Sequence, residues 1–324
     1  MKLVTFSPPD QGPRVGALVE DHVIDLLAAS GDDPSFATML GLVAAGPSSL
    51  GLATKLCADL SASLSTGAAA PGYGEGGPSY PLSSVRTAAP IPRPAKNVFC
   101  VGLNYRSHVE QNARALGQPI EIPTIPLFFS KPVTAVIGPG DAVLYDPRLT
   151  NKLDFEIELA VVIGKQGKWI APEDAHNHIF GFTIVNDVSA RDLQWRTSQF
   201  FYGKGQDSYC PMGPVIVTAD EMPSLAEVVL ELKVNGELRQ SERAGNMLFP
   251  PEVAIAELSK GITLEPGDVI SLGTPGGCGY QTVPPRFLCP GDVIECRAGP
   301  IGALQNHVVE VTDERLATDS EVYQ

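Results

Sequence analysis

The chain has 324 residues, enough for one large domain or two of ordinary size. Its hydrophobic content of 44% is that of a globular protein with a sizeable core, and no apolar run approaches the roughly 20 residues that span a bilayer. The formal charge is −14, from 37 acidic and 23 basic residues. That balance argues against nucleic acid or an anionic membrane surface as partner, and an anionic substrate has to be neutralised locally by a metal or a few placed Lys and Arg.

The opening Met-Lys-Leu-Val-Thr-Phe-Ser reads as a first strand. It has no charged n-region leading into an apolar h-region, so a cytoplasmic protein is expected. Residues 14–27 alternate around a polar break, Glu20-Asp21-His22, which predicts a hairpin. Helical patterns follow at 35–45 and 48–60. Residues 61–82, rich in Ser, Ala, Gly and Pro, read as a loop. From about Arg93 the chain becomes strand-rich, with candidate strands at 97–102, 158–164, 181–185, 214–218, 228–234, 268–273 and 292–296. Asn235-Gly236 predicts a two-residue hairpin turn, and residues 251–260 a helix with Gly261 as C-cap. The expected class is α+β with a mixed or antiparallel sheet. No G-x-G-x-x-G follows a strand and no Walker A sequence occurs, which argues against dinucleotide and P-loop folds. The six cysteines form no C-x-x-C pair. They read as reduced core or loop residues, with a nucleophilic Cys278 as the alternative.

Five segments carry candidate chemistry. In Leu153-Asp154-Phe155-Glu156-Ile157-Glu158-Leu159, the two glutamates share one strand face about 7 Å apart, the spacing at which carboxylates converge on a hard cation. An E-x-E is more often a solvated face, but this one leads straight into the apolar run Ala160-Val161-Val162-Ile163, where carboxylates need a partner. Asp187 ends the next apolar strand, Ser189 reads as a helix N-cap, and Arg191 with Asp192 as an internal ion pair. Lys204, between Gly203 and Gly205, reads as a loop lysine or as a group placed against a ligand oxygen. Leu272-Gly273-Thr274-Pro275 is a turn able to offer N–H groups and a hydroxyl to an anion. Cys100-Val101-Gly102-Leu103-Asn104-Tyr105 leads into a helical stretch with His108, a structural or a catalytic histidine.

In this order, V-G-L-N-Y-x-x-H, E-I-E, N-D-V-S-A-R-D-L-Q, a Gly-flanked Lys and G-T-P resemble the fumarylacetoacetate hydrolase superfamily, over roughly residues 90–310. The resemblance implies a small N-terminal α+β domain at 1–65, a linker at 66–90 and a mixed β-roll catalytic domain at 91–324, usually in a homodimer. It implies Glu156, Glu158 and Asp187 as ligands of Mg²⁺ or Mn²⁺, with His108, Gln194 and Lys204 as catalytic groups. Tyr105, Arg191 and Thr274 become substrate contacts, and the substrate a small anionic 2-oxo acid. Val101 stands where some members carry a fourth carboxylate, which places the chain in the three-carboxylate branch. Typical C–C hydrolases of this branch carry a glutamate three residues after the histidine. Here that residue is Gln111, and Glu110 comes one earlier, so the partner of His108 is open between them.

Three functions are therefore expected, in order: a metal-dependent hydrolase cleaving a C–C bond in an acylpyruvate or 2,4-dioxo acid; a decarboxylase or isomerase of a small 2-oxo diacid on the same enolate site; and a catalytically inactive, metal-stabilised binding protein.

Overall fold

All residues of the strand Ile157–Ile163 are buried, and past Glu158 it is apolar on both faces. Such a run needs an apolar layer on each side. Leu159, Val161 and Ile163 join one core with Phe182, Ile184, Leu230, Leu232 and Ile294. Ala160 and Val162 join the other with Leu26, Phe36, Leu42, Val43 and Ile216. Period-two alternation thus divides one strand between two cores, and each fully buried Val or Leu contributes about 1.5–3 kcal/mol.

The computed structural model describes residues 1–8, 11–66 and 78–312. It has the expected α+β class and mixed β-roll architecture. Among the described residues twelve strands form one sheet, which from Lys2–Ser7 to one end runs Lys2–Ser7, Cys210–Thr218, Ile179–Asn186, Ile157–Ile163, Val269–Ser271, Val98–Gly102, Leu127–Lys131. Neighbours are antiparallel except where Val269–Ser271 runs parallel to Val98–Gly102. A second sheet, Glu237–Arg243, Val229–Val234, Val293–Ala298, Gly302–Glu310 and Ala142–Tyr145, packs on the Leu159 side. The helices Met39–Ala45 and Pro47–Thr66 pack on the Ala160 side. No single helix among the described residues is long and apolar enough to cross a membrane.

The hairpin at Glu20-Asp21 forms, with Glu20 at φ 53. The seven expected strands form with shifted ends, Cys210–Thr218 beginning four residues earlier than its apolar run suggests. Gly261 is the last residue of the helix Pro251–Gly261 rather than its cap; extended Ile262 is the C-cap. The expected loop at 61–82 begins as the end of the helix Pro47–Thr66. Residues 67–77 of the expected linker lie outside the described residues. The rest of it holds two strands: Ser79–Pro81 pairs with His22–Asp25, and Arg86–Ala88 with Lys2–Ser7. Lys2 pairs with Val217, so the sheet runs from the N-terminal unit into the remainder without a break.

Candidate active site

Strand register places the acidic residues. Ile157 pairs with Asn186 and Ala160 with Ser271, which brings Glu156, Asp187 and Gly273 to one end of adjacent strands. The Glu156 N–H donates to Asn186 Oδ1 at 3.0 Å, and the Asp187 N–H to the Glu156 carbonyl at 2.8 Å, fixing the turn that carries both carboxylates. Oxygens of Glu156, Glu158 and Asp187 lie within 4.8 Å of one another, all buried. Glu156 sits just before the strand Ile157–Ile163 rather than inside it.

Three buried cations face this cluster. Lys204 Nζ donates to Glu156 Oε2 at 2.8 Å and to Asp187 Oδ2. Lys131 Nζ donates to Asp187 Oδ1 at 2.5 Å and to the carbonyls of Val188 and Lys204. Arg191 donates to Glu156 Oε1 at 2.6 Å, to Asp154 Oδ2 at 2.9 Å and to Gln194 Oε1 at 3.0 Å. Burial opposes the charge on Glu156, but Arg191 and Lys204 outweigh it and hold this carboxyl well below its ordinary range. Burial, then the like charges of Asp187 and Glu156, pushes Glu158 up to about 8. Burial also works against Lys204, and Asp187 and Glu156 reverse it, so its ammonium stays charged.

A set of three converging carboxylates, one of them raised by burial and by its neighbours' charge, fits a hard divalent cation such as Mg²⁺ or Mn²⁺. Such an ion, held by these three residues, would displace a proton from Glu158 and relieve the repulsion. Ser271 Oγ and the Gly273 N–H donate to Glu158 Oε2 at 2.5 and 3.0 Å and hold the side chain in place.

The helix Arg106–Leu116 brings in His108. Asn104 pins its entry, with Nδ2 on the carbonyls of Phe249 and Leu272 at 2.9 and 2.7 Å and Oδ1 taking the Phe249 N–H at 2.7 Å. His108 is buried, and burial lowers it to about 4. Neither expected partner serves it. Glu110 lies on the outer side of the helix, 4.0 Å from Arg106 and 3.7 Å from Arg114. Gln111 Oε1 accepts the Gly277 N–H at 2.8 Å and so holds the loop after Thr274. The group beside the imidazole is Gln281. Its Oε1 takes the N–H groups of Gly277 and Cys278 at 2.9 and 3.1 Å, which sets the amide so that Nε2 faces His108 Nδ1 at 3.2 Å. An N–H donor there makes Nδ1 the unprotonated nitrogen of the neutral ring.

His108, Arg191, Gln194, Lys204 and Thr274 line one cavity of about 280 Å³ with Glu156 and Glu158; Asn112, Phe129, Trp195, Phe200 and Tyr280 are also in its wall. Tyr105 does not line it. Its backbone bridges to Met247 and its ring is wholly buried in the core. Ser189 is not a helix cap: it pairs in a short strand with Asp154, its hydroxyl donates to the Asp187 carbonyl, and Ala190 caps the helix Arg191–Gln194. Asp192 is not the partner of Arg191, since it accepts from Thr150 Oγ1 at 2.6 Å. Cys278 is fully buried, does not line the cavity, and burial holds its thiol well above the usual range, which rules against a nucleophile.

Sequence reasoning gave no role to Lys131, Asp154, Gln240 or Gln281. Asp154 takes the N–H groups of Gly279 and Tyr280 at 2.7 and 3.1 Å as well as Arg191. Gln240 accepts from the Ile157 N–H at 3.1 Å and donates to Thr274 Oγ1 and the Pro275 carbonyl, both at 2.8 Å. The only local signal is a lysine ending the apolar strand Leu127–Lys131 and an aspartate two residues before Glu156.

Residues 97–309 match the fumarylacetoacetate (FAA) hydrolase C-terminal family. The oxaloacetate tautomerase YisK of Bacillus subtilis (strain 168) is 49% identical over 229 residues, 71% of this chain and 75% of that protein. The mitochondrial oxaloacetate tautomerase Fahd2a of Rattus norvegicus is 37% identical over 314 residues, 95% of this chain and 92% of that protein. The solved structure of a fumarylacetoacetate hydrolase from psychrophilic Exiguobacterium antarcticum superimposes with a TM-score of 0.75 at 35% identity, covering 96% of this chain and all of that one. Motif order, fold and sequence identity converge, and the chain belongs to the fumarylacetoacetate hydrolase family.

Proposed function

We propose that this protein is a divalent-metal-dependent tautomerase that interconverts the keto and enol forms of a small 2-oxo diacid of the oxaloacetate type. The observation that carries the reading is the neutral amide beside His108. Water attack on a ketone calls for a histidine whose charged form is favoured by a carboxylate. His108 has Gln281 at 3.2 Å instead, and burial lowers it to about 4. So weak a base is matched to an acidic C–H rather than to water. The carbon between two carbonyl groups of a 2-oxo diacid supplies that C–H. The two relatives named oxaloacetate tautomerase support the same reading.

When bound between Glu156, Glu158 and Asp187, a hard divalent cation draws charge from the 2-oxo oxygen and makes the neighbouring C–H more acidic. His108 takes the proton from that carbon at Nδ1, its unprotonated nitrogen, which gives up the Gln281 Nε2 contact as it does so. Lys204 hydrogen-bonds the oxygen on which charge grows. Gln194 assists: Arg191 occupies its Oε1, which leaves Nε2 to donate. Return of the proton to oxygen gives the enol, and the reverse path gives the ketone. Phe129, Trp195 and Phe200 narrow the cavity and limit the water that reaches the enol.

The acylpyruvate hydrolase expected first from the sequence uses the same metal and Lys204 but needs the carboxylate partner that His108 lacks. Decarboxylation uses the same enol chemistry and is separated by release of CO₂. The test follows the ultraviolet absorbance of enol oxaloacetate as it relaxes to equilibrium with Mg²⁺ or Mn²⁺ present. Wild type is expected to accelerate relaxation without releasing CO₂. Glu156→Gln and EDTA-treated protein are expected to abolish the acceleration, and His108→Ala to reduce it by about 10²-fold or more. Undiminished relaxation by Glu156→Gln sinks the metal role; undiminished relaxation by His108→Ala sinks the base.

A further inference from the structure

On the Nδ1 side of His108 three donors of different chemistry meet. Cys278 Sγ lies 3.7 Å from His108 Nδ1 and 3.7 Å from Glu156 Oε1. One ligand atom from each of His108, Cys278 and Glu156 lies within 4.8 Å of the other two. In a tetrahedral zinc site, a Zn–S bond of about 2.3 Å and Zn–N or Zn–O bonds of about 2.0–2.1 Å place the sulfur about 3.5 Å from its nitrogen and oxygen neighbours. Both observed separations are close to that edge length without movement of the main chain. We propose that His108, Cys278 and Glu156 form a second metal site, for Zn²⁺ or another thiophilic divalent cation, that shares Glu156 with the three-carboxylate centre.

The donor sets separate the two sites. Three carboxylates select a hard ion, whereas imidazole with thiolate selects a borderline or soft one. His108 and Glu156 both line the cavity, so the ion enters from there and keeps its fourth position toward substrate. Binding breaks the S–H bond of Cys278 and forms a metal–sulfur bond, with the proton released to solvent. Gln281 Nε2 leaves His108 Nδ1 but keeps the Tyr280 hydroxyl at 3.1 Å and the His108 carbonyl at 3.3 Å, so no buried N–H is stranded. Arg191 already donates to Glu156 Oε1 at 2.6 Å, which weakens that oxygen as a ligand and sets the affinity below that of a structural zinc site. Cys278 has no step in the proposed reaction. An ion at this site takes the His108 lone pair and one carboxylate of the hard-metal centre, so Zn²⁺ inhibits an enzyme supplied with Mg²⁺ or Mn²⁺.

The site itself stands on geometry, and only the inhibition rests on the proposed tautomerase reading. The test is therefore spectroscopic first: Co²⁺ is titrated into the full-length protein and the thiolate-to-cobalt charge-transfer band is sought in the near ultraviolet. The band is expected in wild type and absent in Cys278→Ala, which retains turnover with Mg²⁺. Zinc titrations of turnover are expected to need at least about tenfold more Zn²⁺ to inhibit Cys278→Ala, since even residues behind a metal's direct ligands are worth that much. Absence of the band in wild type overturns the site. A band that persists in Cys278→Ala also overturns it, because the ion then sits at another thiol such as the exposed Cys289. A wild-type band with equal zinc sensitivity of both proteins keeps the site and overturns the inhibition, while a family reaction other than tautomerisation leaves the cobalt result standing.

Discussion

His108 is a buried, uncharged imidazole, and the role of base proposed for it follows from what surrounds it. Its burial places the acid limb of kcat/KM near pH 4, well below the ordinary histidine value of 6.5. The sign is fixed by the role: the neutral ring is the competent form, so activity is kept above the lowered value and lost as pH falls through it. A pH profile that bends near 6.5 contradicts this placement. Gln111→Glu is expected to leave acylpyruvate cleavage no faster than in wild type, because the side chain at 111 holds the Gly277 N–H rather than the imidazole; a clear gain in hydrolysis refutes that. Lys204→Ala is expected to lower kcat by about 10²-fold, as loss of an oxyanion donor does. A change confined to KM makes Lys204 a substrate anchor instead. At this scale the carboxylates stood out because they interrupt or end apolar runs, and Lys204 because glycines flank it, whereas His108 lies in a polar helical stretch and gained a catalytic role only from the family resemblance. Gln281 was not, since it lies 173 residues from His108 and only the fold joins them. Gln240, 83 residues from Ile157, is hidden for the same reason.

At the scale of elements, short segments set the site by close approach. A Cβ on Gly203 would stand 2.4 Å from the Gln194 backbone nitrogen, so the helix Phe201–Lys204 seats against Arg191–Gln194 only with glycine there. Gly203→Ala is expected to destabilise the protein by about 1–3 kcal/mol and to cut turnover further, by pushing Lys204 away from Glu156 and Asp187. Thermal melts beside kcat measurements check this, and wild-type turnover in a variant of unchanged stability refutes it. The two glycines around Lys204 suggested a loop, yet they serve close contact: a Cβ on Gly205 would likewise stand 2.7 Å from the Phe201 carbonyl oxygen. The strands with long apolar runs were readable because burial on both faces removes polar residues from them. Leu127–Lys131 and Ala142–Tyr145 were not, because they are half-buried and too short for alternation to show.

For the whole molecule, the N-terminal unit closes the sheet that carries the site. The strand Lys2–Ser7 covers an edge of Cys210–Thr218, and the helices Met39–Ala45 and Pro47–Thr66 cover Ala160, Val162 and Val269. A chain lacking residues 1–90 bares both the edge and the apolar face, and is expected to aggregate rather than melt cooperatively. Soluble, cooperatively folded fragment in size-exclusion and thermal experiments contradicts this. Composition marked residues 61–82 as a loop, where Ser, Ala and Gly accumulate, and could not show the strand pairing that ties Lys2 to Val217. With a net charge of −14 on the chain, Arg191 and Lys204, together with the divalent ion proposed for Glu156 and Glu158, are the groups in the cavity wall that would neutralise the proposed anionic substrate. The central claim is that these groups and a neutral His108 move a proton on a 2-oxo diacid rather than activate water. Its most direct measurement is kcat/KM of the Mg²⁺- or Mn²⁺-loaded wild type for relaxation of enol oxaloacetate, set against hydrolysis of an acylpyruvate under the same conditions. The account predicts rapid tautomerisation with negligible C–C cleavage; efficient acylpyruvate hydrolysis with no acceleration of the keto–enol exchange would contradict it.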